Sequence, residues 1–231
     1  MRVLVLIFLG FLHLIVTKKI KTFWVKKANF SPFKGQTMLA PFDILLSLLF
    51  IYLLGLSFSQ SGIAIGNWSL GIRLILLLGI PLVLLNIGLI FAVPEDKLNE
   101  ISFGQGDLKW QLIYVIFLVG PMEELFYRGF IQGTLSTMMD GKLYILSYAA
   151  ILGSFIFVLV HIGNVFKGDE TMSAFISMLP QRLFISLILA YSFQATNSLI
   201  YPVIIHNLID TAAILTISYR KNNTSHHTFT S

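Results

Sequence analysis

Seven apolar runs, each bounded by charged or polar residues, govern what this chain can become. About 20 apolar residues are needed for a helix to cross the hydrocarbon core of a bilayer. Such runs lie near residues 38–58, 70–93, 108–137, 143–161, 173–195 and 198–219, and a shorter one spans residues 3–16. The short run, VLVLIFLGFLHLIV, follows Met1-Arg2 as a signal-peptide core would, but no small-x-small cleavage site comes after it, only Thr17 and a lysine cluster. It is read as a retained, rather short span. Lipid offers backbone groups no partners, so the runs are read as helices. The expected fold class is all-α: a polytopic helical membrane bundle of about seven transmembrane helices, within a range of six to eight, without internal repeats or low-complexity linkers.

Composition agrees, since 56% of residues are hydrophobic and only 12% charged, against about a quarter charged in soluble domains. A net charge of +5 raises the question of a nucleic-acid partner. The lysines Lys18, Lys19, Lys21, Lys26 and Lys27, however, follow an apolar run directly, with no domain around them. That is a membrane-flanking pattern, so the bilayer is the expected partner and nucleic acid is not. The absence of cysteine removes disulfides, thiolate metal sites and cysteine nucleophiles. With the N-terminus outside, the cytoplasmic segments carry Lys18, Lys19, Lys21, Lys26, Lys27, Lys34, Lys97, Lys109, Lys167, Arg220 and Lys221, leaving Arg2, Arg73 and Lys142 for the other side. This favours a multi-pass protein of the cell membrane with its N-terminus outside and its C-terminus in the cytoplasm.

Against that background the charges inside the spans stand out. Glu123, Glu124 and Arg128 lie within LIYVIFLVGPMEELFYRGFIQGTL, where each costs roughly 2.5 to 3.5 kcal/mol on insertion scales and marks function by default. Residues four apart share a helix face. Three pairs have this spacing: Glu124 with Arg128, Phe157 with His161, and His206 with Asp210. Glu123 points about 100° away from Glu124, so Glu124 and Arg128 are expected to neutralise each other and leave Glu123 as an unpaired carboxylate. A carboxylate in a low-dielectric cavity is suited to general acid–base work near neutral pH, and imidazoles titrate there already. With two histidines it can hold and deprotonate a water and stabilise an oxyanion. The same set, Glu123, His161 and His206, could instead ligate a divalent metal such as zinc. Spacing does not separate the two.

Glu123-Glu124-x-x-x-Arg128, Phe157-x-x-x-His161 and His206-x-x-x-Asp210, in that order on successive apolar segments, resemble the motifs of the CPBP family of intramembrane proteases, also called Abi. That family includes the type II CAAX prenyl endopeptidases and bacterial proteins linked to bacteriocin processing or self-immunity. The resemblance covers about residues 108–219. It implies a helical catalytic core there, preceded by transmembrane helices and a basic cytoplasmic loop in residues 1–107 and followed by a polar tail in residues 220–231.

The resemblance also implies that Glu123 activates water with His161, that His206 and Asp210 stabilise the oxyanion, and that Glu124 and Arg128 support the site. It implies a membrane-associated peptide or protein as substrate. The family is commonly labelled metalloprotease; a metal-free glutamate–histidine site is the expectation here, so no cofactor is expected, with zinc as the other possibility. One departure matters: the prenyl endopeptidases typically carry Asn where this chain has Asp210. An ionised Asp can accept a hydrogen bond but cannot donate one to an oxyanion, which points Asp210 toward orienting His206 or helping to bind a metal. The alternatives from other classes are a non-proteolytic immunity or scaffold protein and a proton-coupled transporter; the latter is disfavoured by the missing repeat.

Other protease chemistries lack a required residue, since neither His-Glu-x-x-His nor Gly-x-Ser-x-Gly occurs. Gly104-Gln105-Gly106-Asp107 spells Gly-x-Gly-Asp, but in a polar loop without a Tyr-Asp partner, and is read as a helix-start turn with Asp107 as N-cap. His13 is expected to be a lone interfacial histidine, and His226 and His227 to lie in the tail without a metal role. Arg182, after Pro180, is expected to snorkel or accompany a kink. Asn86 is expected to bond between helices and Phe157 to pack. Straight helices would not bring Glu123, His161 and His206 to one depth, so a tilted or broken span near Pro121 and a water-filled cavity open to the cytoplasm are expected.

Overall fold

The computed structural model describes residues 2–101, 103–104, 106–168 and 170–227, and the fold is helical nearly throughout. Helix α1 (Arg2–Lys27) and α2 (Pro32–Leu53) pack side by side. The α1 helix runs on through the lysines instead of ending at residue 16, because lysine is a good helix former and its aliphatic stem tolerates the membrane edge. Ser31 caps α2 by accepting from the Lys34 N–H at 3.4 Å, ahead of Pro32 at the first helical position.

A loop leads to α3 (Trp68–Leu74), a wider π-helical turn (Ile75–Gly79) and α4 (Ile80–Ala92), which together make one continuous apolar rod. The short α5 (Glu95–Glu100) follows. The 108–137 run is broken, as Pro121 suggests: α6 (Leu108–Phe117) ends at Leu118, whose φ of −122° leaves helical geometry, and α7 (Val119–Glu124) leads into a π-helix (Leu125–Gln132) and α8 (Gly133–Ser136). The break falls where Pro121 acts, since its ring clashes with the carbonyl of the residue four earlier, Phe117.

After a two-residue hairpin, β1 (Lys142–Leu143) against β2 (Leu146–Ser147), come α9 (Tyr148–Val160), α10 (Ile162–Lys167), α11 (Met172–Thr196) and α12 (Ile200–His227). Among the described residues six helices are long and apolar enough to cross a membrane, and Leu108–Phe117 is a shorter apolar helix. The expected seven spans are therefore six long helices and one interrupted segment.

All eight residues of the π-helix Leu125–Gln132 are buried. Phe126 and Phe130 join Phe50 of α2 and Phe157 of α9 in the main apolar core, so the broken segment runs through the middle of the bundle.

Several expectations change. His13 is not a lone interfacial residue: it is buried, its Nε2 pairs with the buried Asp43 of α2, and its ring stacks on Phe126 with centroids 3.8 Å apart. Asp107 begins α6 without a side-chain capping bond, and its carboxylate instead accepts from the Ser31 hydroxyl at 2.7 Å. Arg182 forms an ion pair with Glu170 at 2.9 Å. Asn86 does bond between helices, accepting from Gln181 at 3.0 Å and donating to the Ile209 carbonyl at 3.4 Å. The tail begins as helix, since α12 continues to His227, with Arg220 donating to the Ile90 and Val93 carbonyls at 2.7 Å. The side chains of His226 and His227, like residues 228–231 and Gln105, lie outside the described residues.

Candidate active site

Two helices build the site. The α7 helix and its π continuation carry Glu123, Glu124 and Arg128, and α12 carries His206 and Asp210. The i, i+4 spacing holds Glu124 Oε2 3.2 Å from Arg128 Nε, both side chains fully buried. This is an ion pair without hydrogen-bond alignment. The guanidinium is held elsewhere: Nη2 donates to the Ser186 carbonyl and hydroxyl of α11, at 3.3 and 3.2 Å, and Cζ stands 4.7 Å from the Phe157 ring centre. A planar cation against an aromatic face recovers part of its lost hydration.

The other oxygen of Glu124 does more than neutralise Arg128. His206 Nδ1 donates to Glu124 Oε1 at 2.8 Å. That bond fixes the tautomer and leaves Nε2 as the variable atom of the ring. Nε2 lies 3.9 Å from Glu123 Oε2 and 3.4 Å from Asp210 Oδ2. Glu123 and Asp210 are 25% and 36% exposed, whereas Glu124 is 0% exposed. The buried carboxylate thus orients the imidazole, and the two accessible ones flank its outer nitrogen.

His161 packs against Phe157, whose ring also contacts His206. It sits at the junction of α9 and α10, and its Nδ1–H donates to the Phe157 carbonyl at 2.8 Å, which leaves the Nε2 lone pair available. The Phe157 ring lies 4.9 Å from the His161 ring and 6.3 Å from that of His206, and Tyr127 abuts it at 4.8 Å. Of the six predicted residues, Glu123, Glu124, Arg128, His206 and Asp210 form one contact network, with His161 alongside.

Two contributors were missed. Ser186 holds Arg128, and its only signal is a hydroxyl in an apolar helix. Asn207 bonds to the backbone on both sides of the α6–α7 break; the signal was an amide beside His206 in the same span.

Among the described residues no three His, Asp or Glu side chains are arranged to hold a metal ion. The Glu124 bond leaves Nε2 as the open nitrogen of His206, facing Glu123 and Asp210, while His161 packs on the Phe157 ring. Glu123, His161 and His206, the set expected to ligate zinc, are therefore not gathered as three converging ligands.

These features define a multi-pass helical membrane protein with a buried Glu–Arg pair supporting an imidazole between two accessible carboxylates. Residues 105–212 match the family model of the Rce1-like type II CAAX prenyl endopeptidases. The match spans 108 of the 231 residues and includes every residue of the network. No curated protein and no solved structure matches the chain.

Proposed function

We propose that this chain is an intramembrane endopeptidase that hydrolyses a peptide bond of a membrane-associated peptide or protein, using water activated by Glu123 and His161. The observation that carries this reading is the placement of Glu123, partly accessible and 3.9 Å from an imidazole that buried Glu124 orients from behind. Glu123 takes a proton from water as the oxygen bonds to the scissile carbonyl carbon. His161 Nε2 orients the water. With protons on both ring nitrogens, His206 donates to Glu124 through Nδ1 and to the oxyanion through Nε2. Glu123 then returns its proton to the amide nitrogen as the C–N bond breaks, leaving a carboxylate and an amine. Asp210, 3.4 Å from Nε2, steadies the charged ring through its carboxylate and does not itself donate to the oxyanion.

The family name makes a prenylated C-terminal peptide the natural first probe. The protein is read as residing in the cell membrane with its N-terminus outside. The partly exposed carboxylates of Glu123 and Asp210 are read as the side from which water enters.

The test uses full-length protein in liposomes and a quenched fluorescent peptide bearing an S-farnesyl cysteine three residues from its C-terminus. A peptide comparison of membranes with and without the protein runs beside it. Wild type is expected to cleave, and Glu123→Gln to lose at least about 10²-fold of the rate at equal expression. Equal product from both proteins would defeat the proposal.

A further inference from the structure

We infer that Asn207 is the positioning residue of this site: its side-chain amide splices the break between α6 and α7 and thereby sets the distance of Glu123 and Glu124 from His206. This rests on the reading of those residues as the active site.

In an unbroken helix the Gly120 N–H would bond to the carbonyl of Ile116, four residues earlier. The break at Leu118 separates them. Asn207 Oδ1 accepts from the Gly120 N–H at 2.9 Å, and Asn207 Nδ2 donates to the Ile116 carbonyl, also at 2.9 Å. One amide from α12 thus occupies the place of one backbone hydrogen bond in the neighbouring segment. The partners dictate its orientation, because an N–H offers only a donor and a carbonyl only an acceptor. The approach is close enough to require glycine: a Cβ at residue 120 would stand 2.3 Å from Asn207 Oδ1 and 2.9 Å from the Val203 carbonyl.

The two ends of this splice lie next to the chemistry. Gly120 precedes Glu123 by three residues, roughly 5 Å along the helix, and Asn207 follows His206 directly. Any slip at the break moves both carboxylates relative to the imidazole. The Glu124–His206 bond of 2.8 Å and the Glu123–His206 separation of 3.9 Å are therefore set by where Asn207 pins α7. An ordinary interhelical amide would join two intact helices. This one satisfies two groups that the break releases.

The experiment compares full-length wild type, Asn207→Leu and the near-isosteric Asn207→Asp, with size-exclusion behaviour and circular dichroism establishing that each is folded. Three readouts are taken: hydrogen exchange in residues 116–124, the ring ¹⁵N resonances of His206 (identified by their loss in His206→Gln), and cleavage of the farnesylated peptide. Asn207→Leu is expected to speed exchange at Gly120, shift the His206 resonances, and lower kcat by about 10- to 100-fold with little change in KM, the scale of a misplacement near 1 Å. Asn207→Asp keeps the acceptor for Gly120 and loses the donor to Ile116, so it retains protection at Gly120 and falls between the other two in rate.

Unchanged exchange in Asn207→Leu overturns the inference. So does faster exchange with unmoved His206 resonances. If wild type leaves the peptide intact, the enzymatic reading is in question, and exchange with the His206 resonances still decides the role of Asn207.

Discussion

Glu124, fully buried, accepts a hydrogen bond from His206 Nδ1 at 2.8 Å while its second oxygen lies 3.2 Å from the Arg128 guanidinium. One carboxylate therefore joins the charge-balancing half of the site to the proposed chemical half. Sequence spacing had assigned Glu124 to Arg128 alone.

Arg128→Ala strands the Glu124 carboxylate in a dry interior, and losing one partner of a buried pair costs about 3–5 kcal/mol. Thermal unfolding in detergent should show the loss. Arg128→Lys should not restore it, because an ammonium cannot reproduce the fork that spans Glu124 and Ser186. The double substitution Glu124→Leu, Arg128→Met should regain much of the stability yet remain inactive, since His206 Nδ1 then has no acceptor. An active double variant would show that Glu124 does not orient the imidazole.

The His13–Asp43 pair should behave differently. Asp43→Leu alone leaves a buried imidazole without its partner and is expected to lower the unfolding temperature. His13→Leu combined with Asp43→Leu removes both polar groups and should recover most of that loss, as apolar replacements of buried pairs often do. Additive losses in the double variant would contradict this.

Phe157 separates the two histidines and faces Arg128. Phe157→Ala should destabilise by about 3–5 kcal/mol through the cavity it leaves. Phe157→Leu should cost less and show whether cleavage depends on the ring itself. Denaturation and peptide cleavage on the same preparations check both.

Asp210→Asn introduces the residue typical of the prenyl endopeptidases, with an N–H able to face the oxyanion. It should retain cleavage, whereas Asp210→Leu should lose about 10- to 100-fold, the scale of removing a carboxylate that supports a functional imidazole. Inactivity of Asp210→Asn would mean that the negative charge beside His206 is required.

Metal content of the purified protein is expected to be substoichiometric. Stoichiometric zinc that disappears in both His161→Ala and His206→Ala would replace the glutamate–histidine mechanism with a metal-bound water.

The spans and the three four-residue pairs were legible in the chain because both depend on local quantities: helix periodicity and the thickness of a bilayer. Residues 108–137 were legible as one overlong run with a proline, and the break followed from proline stereochemistry. The exact partners were not. His13 and Asp43 lie 30 residues apart, and Arg128 and Ser186 lie 58 apart; nothing in their local spacing joins them.

By itself the sequence determined that this chain is a helical membrane protein with costly charges on particular helix faces, since burying a backbone in lipid leaves few other solutions. Tertiary structure decided which carboxylate holds His206, how His161 stands behind Phe157, and how Asn207 repairs the break at Leu118. Those outcomes depend on the depth and rotation of one helix against another, which packing across the bundle sets and periodicity along the chain does not.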